Sequence, residues 1–386
     1  MYGEYWLVSA PADKTRQETF DRLQRATQRF SENCKFAMPD LKVGTLDQLV
    51  SMSDDLVKLD SNTESVVRKV VQYIGDVVLE RERETVVNHL LVSGKPVPNF
   101  LTGFQWDVSK YPVKQSLKMT ADSINKEVLQ IENDLKKKSN AYNTVRNTLA
   151  SLKKKAEGSL ITKDLAEIVK AEDFILDSEY LATILVVVPK TLTKEWQSNY
   201  EKFSNMVAPR SSRKIYEDLE NSLFTVTLFK RALDDYKLQC RQHKFMVRDF
   251  VYDEKTLNAG KNERGKLSAE KEEQFAPLMR WLKTNFSELF SAWIHVKAMR
   301  TFVESVLRYG LPVDFQVVLM HPSKQGLRKT RSALNKLYSH LDYNPCSDSN
   351  ADTGEDAPAV MGVGLSTEFM PYVFFKINAD LTETKP

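Results

Sequence analysis

One narrow apolar stripe constrains this chain more than any other feature. Val113, Leu117, Ala121, Ile124, Val128, Ile131, Leu135, Tyr142, Val145, Leu149, Leu152 and Ala156 recur at steps of three and four, and only Lys138 falls on the seam out of type. The other faces carry Lys, Asn, Ser, Glu and Thr. A stripe of about six heptads predicts a helix on the order of 65 Å long. So thin a seam suits a coiled-coil arm or strut, because a helix packed into a globular core shows a broader apolar face. A second, rougher seam runs through Leu267, Leu278, Leu282, Leu289, Trp293, Val296, Val303 and Leu307. Phe275, Phe286, Phe290 and Phe302 widen its later half, which predicts burial there. Pro277 predicts a kink or a restart, and Gly310 with Pro312 marks the end.

Between the seams the pattern is that of a small α+β domain. Residues 180–188 (YLATILVVV) read as a buried strand closed by Pro189, 223–228 (LFTVTL) as a second and 245–252 (FMVRDFVY) as a third. Residues 192–203 and 230–242 read as helices, and 209–214 (PRSSRK) as a basic loop. Outside the seams, 4–9 and 313–319 have strand composition, as does 369–377, where Pro371 favours a sheet edge or a strand start. Helical spacing is carried by 14–30, 46–74 and 327–341, while 343–367 reads as a loop without Lys or Arg.

Two long helices flanking an insertion predict a helix-rich α+β protein shaped as an elongated dumbbell. Paired antiparallel, they form a neck that joins an inserted head to a composite foot built from both ends of the chain. The expected divisions are 1–111 (foot), 112–157 (neck helix), 158–260 (head), 261–310 (returning helix) and 311–386 (foot).

Composition narrows the function. The 386 residues hold 55 Lys+Arg against 52 Asp+Glu, a net charge of +3, far from the basic surplus of a dedicated nucleic-acid binder. Cys34, Cys240 and Cys346 are scattered and form no CxxC, which suits a reducing compartment. The first residues are no secretory signal, and no apolar run reaches the ~20 residues of a membrane span. The expectation is a cytoplasmic protein that meets a membrane only through partners. No phosphate-binding glycine loop, nucleophile elbow or zinc motif is present, so no cofactor, metal or catalytic residue is expected. Residues 348–352 (DSNAD) imitate a calcium loop, but Thr353 and Ala359 stand where the turn glycine and the bidentate glutamate belong. His295, between Trp293 and Val296, reads as a packed or capping histidine.

Basic clusters are the remaining candidates. Lys136–Lys138 and Lys153–Lys155 suit either an acidic filament or a solvated helix face. Arg210, Arg213 and Lys214 are the partner-binding candidates, able to receive an acidic helix or a phosphate on Ser211 or Ser212.

Six stretches resemble the C subunit of the vacuolar-type proton-translocating ATPase (V-ATPase). They are 4–11 (EYWLVSAP), 39–50 (PDLKVGTLDQLV), 104–117 (FQWDVSKYPVKQSL), 176–190 (LDSEYLATILVVVPK), 244–252 (KFMVRDFVY) and 293–315 (WIHVKAMRTFVESVLRYGLPVDF). They follow the family order over nearly the whole chain. The resemblance implies a non-catalytic component of the peripheral cytosolic sector. Its head would grip a stalk made of the E and G subunits, and its foot a second stalk and the cytosolic domain of the membrane-embedded a subunit. It further implies a role in assembly and reversible regulation of proton pumping. The family's association with actin leaves a filament-binding or crosslinking rod as the alternative.

Overall fold

The computed structural model describes residues 3–79, 86–176, 178–341 and 370–381. The loop expected at 343–367 and the calcium-loop imitation lie outside them. In chain order the elements are β1 (Glu4–Pro11), α1 (Arg16–Thr27), β2 (Ser31–Lys35), α2 (Leu46–Leu79), β3 (Leu91–Val92), β4 (Lys95–Pro96) and α3 (Val97–Thr102). Next come α4 (Leu117–Glu157), β5 (Leu181–Pro189), α5 (Thr193–Asn199), β6 (Arg213–Glu217), β7 (Asn221–Phe229), α6 (Leu233–Gln242) and β8 (Met246–Arg248). The last four are α7 (Glu254–Tyr309), β9 (Phe315–Pro322), α8 (Leu327–Leu337) and β10 (Val373–Asn378). The chain is thus mixed helix and antiparallel sheet. It divides into two compact units, Met1–Lys137 with Leu278–Pro386, and Lys138–Pro277.

The long helices follow their seams. Along α4, Leu117, Ala121, Ile124, Val128, Ile131, Leu135, Tyr142 and Leu149 are buried, whereas Met119 and Leu129, off the stripe, are exposed. Val113 lies ahead of the helix, in turn structure. α7 is a single helix of 56 residues that contains Pro277, so the expected restart is absent. Its later part is buried on most sides, from Phe286 through Leu289, Trp293, Met299 and Phe302 to Val306. Such a helix belongs inside a core.

In the first unit both ends of the chain enter one sheet, in the order β10-β1-β9-β2, with every neighbour antiparallel. Alternation along β1 sends Trp6, Val8 and Ala10 to one face. There they pack with Leu23 of α1, Leu334 of α8, Tyr338 and Tyr372. The opposite face meets α7. Ser305 Oγ donates to Ser9 Oγ (2.7 Å), Tyr309 OH to the Ser9 carbonyl (2.6 Å) and Lys297 Nζ to the Lys376 carbonyl (3.1 Å). α2 is tied to α7 by buried Asp60, which accepts from Trp293 Nε1 at 2.8 Å and from Lys297 Nζ at 3.0 Å and also pairs with Arg300.

His295 is packed, as expected. It lies among the rings of Phe104, Trp106 and Tyr111. Its Nε2 accepts the Asp107 N–H at 3.0 Å, so the ring proton sits on Nδ1 and is donated to the Ser291 carbonyl at 2.7 Å. Burial lowers the imidazole pKa and keeps the ring neutral.

The second unit holds a sheet in the order β6-β7-β5-β8, again antiparallel throughout. The connections β5-α5-β6 and β7-α6-β8 each pass over one intervening strand, making two interleaved split β-α-β units, the ferredoxin-like arrangement. The first unit's sheet, built from β1-α1-β2 and β9-α8-β10, has the same strand order.

Candidate partner-binding surface

β5 is β-branched and apolar over most of its length because it is buried on both faces. Ile184, Val186 and Val188 join Trp196, Tyr236 and Phe245 under α5 and α6. Leu185 and Val187 pack with Leu223 and with Leu160, Leu165 and Val169 from the segment after α4. The sheet therefore has a helix face and a second face roofed by 160–174. One edge is β6, which carries two of the three basic candidates.

The basic stretch is a loop as far as Ser212 and a strand from Arg213 on. Arg213 and Lys214 open β6, and the register sets Arg213 against Thr225 and Lys214 against Phe224. Paired residues in antiparallel strands share a face. Phe224 lies in the core beneath the helices, so Lys214 points to the helix face. Arg213 points the other way, with Thr225. A bulge between Lys214 and Tyr216 returns Tyr216, opposite Leu223, to the Arg213 side. The signal for this strand was the run Lys214-Ile215-Tyr216-Glu217, masked by the turn-forming residues before it.

The three cations differ in their partners. Lys214 Nζ lies 2.6 Å from Glu217, which Lys190 also reaches at 2.9 Å. Hydrogen bonds from Lys214 and then Lys190 pull the Glu217 carboxyl down to about 2. Arg213 is exposed, and its guanidinium makes no hydrogen bond or ion pair among the described residues. Arg210 sits at a positive φ of 58°, fixed by its N–H donating to Glu201 Oε1 at 2.8 Å. That backbone hydrogen bond, with one from the Tyr200 hydroxyl, lowers the Glu201 pKa.

Both serines of the stretch are occupied internally. Ser212 Oγ accepts the indole N–H of buried Trp196 at 3.0 Å, and Ser211 Oγ bonds both the N–H (3.3 Å) and the carbonyl (3.4 Å) of Thr227. A phosphate on Ser211 would remove the proton that its hydroxyl donates to the Thr227 carbonyl, and one on Ser212 would have to fit against the buried Trp196.

One carboxylate ties the hairpin tip together. Asp218 accepts from the N–H groups of Glu220 (2.9 Å), Asn221 (2.6 Å) and Leu160 (2.9 Å). Burial opposes ionisation of Asp218, yet these donors hold its pKa below the usual value.

The family follows from comparison. The family model of the V-ATPase C subunit matches residues 5–373. The chain belongs to that family. It is 55% identical over 380 residues to the V-type proton ATPase C subunit of Caenorhabditis briggsae, covering 98% of each chain. The relative of the same name from Manduca sexta is 54% identical over 383 residues (99% of each). The 1-B form of the V-type proton ATPase C subunit from Danio rerio is 52% identical over 386 residues, 99% of this chain and all of the relative. Among the described residues, no helix is long and apolar enough to cross a membrane. Lys136, Lys137 and Lys153–Lys155 lie on α4 off its apolar stripe and are exposed, the arrangement of a solvated helix face, and Lys138, on the seam, is exposed as well.

Proposed function

We propose that this chain is a non-catalytic clamp of the V-ATPase peripheral sector. It ties peripheral stalks built of the E and G subunits to each other and to the cytosolic domain of the a subunit. The single observation that carries the reading is the family match over nearly the whole length. On this reading the two compact units are the two grips, the inserted one a head and the composite one a foot, joined by the long helices as a dumbbell neck. The assembled protein lies on the cytosolic face of the membrane.

The physics of a clamp suits a chain with a sheet in each of two units and no recognisable catalytic motif. Once one grip is bound, the other rebinds at an effective concentration set by the tether rather than by the bulk. Moderate weakening of either grip then frees the whole protein, which makes release easy to regulate. Within the head, Arg210, Arg213 and Lys214 contribute to stalk binding. Arg210 and Arg213 contribute more than Lys214, whose charge is already met by Glu217.

The test is titration of the full chain into a purified E–G heterodimer, alongside an ATP-turnover assay on the chain alone. One-to-one binding without turnover is expected. A stalk that does not bind, or ATP hydrolysis by the pure chain, overturns the reading.

A further inference from the structure

The second face of the head sheet is roofed over Leu185, Val187 and Leu223, and the segment continues to Thr183, whose Oγ1 accepts the Ile175 N–H at 3.1 Å, while Phe229 at the end of β7 stays open to solvent. Val207 bridges Leu228, and both belong to the core on the helix face. Their neighbours Met206 and Phe229 therefore project to the opposite face. They lie side by side, the Phe229 N–H donating to the Met206 carbonyl at 3.0 Å. Both are large apolar side chains left open to solvent, at 47% and 45% exposure.

Along the β6 edge of the same face lie Arg213, opposite Thr225, and Tyr216, opposite Leu223. Tyr216 is 39% exposed, and Lys163 Nζ stands 4.9 Å from its ring centroid. The strip thus reads, from one end to the other, as an aromatic under a lysine, an arginine without an ion pair, then a methionine and a phenylalanine. It follows β7 from Leu223 to Phe229, a rise of about 20 Å. The outer backbone edge of β6 is a poor template for an added strand, being short, bulged and charged. What remains is a side-chain surface of a helix's dimensions: 20 Å is about 13 residues of α-helix. The charge that β6 brings to this face is cationic, since Glu217, the carboxylate of β6, is on the other face with Lys214 and Lys190.

We infer that this strip, Tyr216–Arg213–Met206–Phe229, is the docking surface for an acidic amphipathic helix. The helix sets apolar residues against the two ends and a carboxylate against Arg213. The inference rests on the stalk reading above.

The experiment measures binding of the full chain to the purified E–G heterodimer at low and high salt. Arg213→Glu and Phe229→Ser are each expected to weaken binding by about tenfold or more. Lys194→Glu, a charge reversal on α5 over the opposite face, should stay within about twofold. Hydrogen exchange of the wild-type complex should show new protection at residues 206–216 and 227–231, which keeps the test sharp if a variant folds poorly. Wild-type binding without that protection, or equal effects of the Arg213 and Lys194 reversals, overturns the strip and leaves the stalk reading standing. Absence of wild-type binding overturns both. Self-association of the wild-type chain in sedimentation, lost in Phe229→Ser, would assign the strip to a second copy and overturn the inference.

Discussion

Removing the carboxylate of Asp60 tests how the first unit is held together. Asp60 is 4% exposed in its side chain and serves two cations, Lys297 at 6% and Arg300 at 17%. Asp60→Ala leaves both without this carboxylate and strips the Trp293 indole N–H of its acceptor. Breaking a buried pair from one side costs about 3–5 kcal/mol. The survivors keep some compensation. Lys297 still donates to the Lys376 carbonyl, and Arg300 still stacks over Phe375, 4.4 Å from its ring centroid. The expected loss is therefore near the lower end, about 3 kcal/mol, which lowers the melting temperature by roughly 6–12 °C in a unit of this size. Calorimetry of the full chain, with hydrogen exchange in α2 and α7 to assign the affected transition, reads the effect. Glu64→Gln, which removes a part-exposed partner of Arg68 one turn away on α2, should shift stability by less than about 1 kcal/mol. If Asp60→Ala stays within about 1 kcal/mol of wild type, the cluster does not hold α2 to α7 and the reasoning fails.

Three further outcomes are expected. The pKa of His295 is lowered by burial, so the unfolded chain takes up the proton first as pH falls. Stability is then fully present above about 6.5 and declines as pH drops toward the lower folded pKa, and His295→Gln should flatten that decline in denaturant titrations across about pH 5–7. Ser212→Ala leaves the buried Trp196 N–H without its acceptor and should cost about 1–3 kcal/mol, measured by urea unfolding; a neutral result would mean water replaces the hydroxyl. Burial pushes the Cys240 thiol up to about 12, so an aromatic disulfide reagent should modify Cys34 in the native chain and leave Cys240 unmodified until unfolding, as peptide mapping would show.

The sequence was most informative where burial has one period. The α4 seam was legible because a long helix with a thin stripe shows the same spacing over its whole length, and the buried positions follow it. β5 was legible because burial on both faces makes an unbroken apolar run. What escaped has no such period. β2 reads Ser-Glu-Asn-Cys-Lys, polar and short, and exists because β9 offers it an edge. The hairpin of β3 and β4 is two residues a side. β8 shrinks to Met246–Arg248 although its neighbourhood is apolar to residue 252, because Phe250 and Tyr252 are spent on the roof packed with Phe174. The start of β6 was hidden by the serines and proline of the loop before it: composition located the charges, but only strand register could send Arg213 and Lys214 to opposite faces.

The two sheets show why one fold can be readable and unreadable in the same chain. Each is a split pair of β-α-β units with the order β10-β1-β9-β2 in one and β8-β5-β7-β6 in the other. In the second unit, the second and third strands, β6 and β7, form a hairpin, so all four strands lie within residues 181–248 and their pairing is local. In the first unit, the chain between the corresponding strands runs from Lys35 to Phe315 and contains the long helices and the entire second unit. Local pairing costs little loop-closure entropy, while the terminal sheet must close a loop of most of the chain. The penalty grows only logarithmically with length, about 0.6 kcal/mol per doubling, which a well-packed sheet can absorb. The burial of Trp6, Val8, Leu319 and Val318 to 2% exposure or less shows how that closure is offset. It also predicts an order of events. The second unit's sheet can form from its own contiguous strands, whereas the terminal sheet forms only after α7 has delivered β9 to β1. Pulse-labelled hydrogen exchange during refolding should therefore protect β5 and β7 before β1 and β9, and the reverse order would refute the entropic argument.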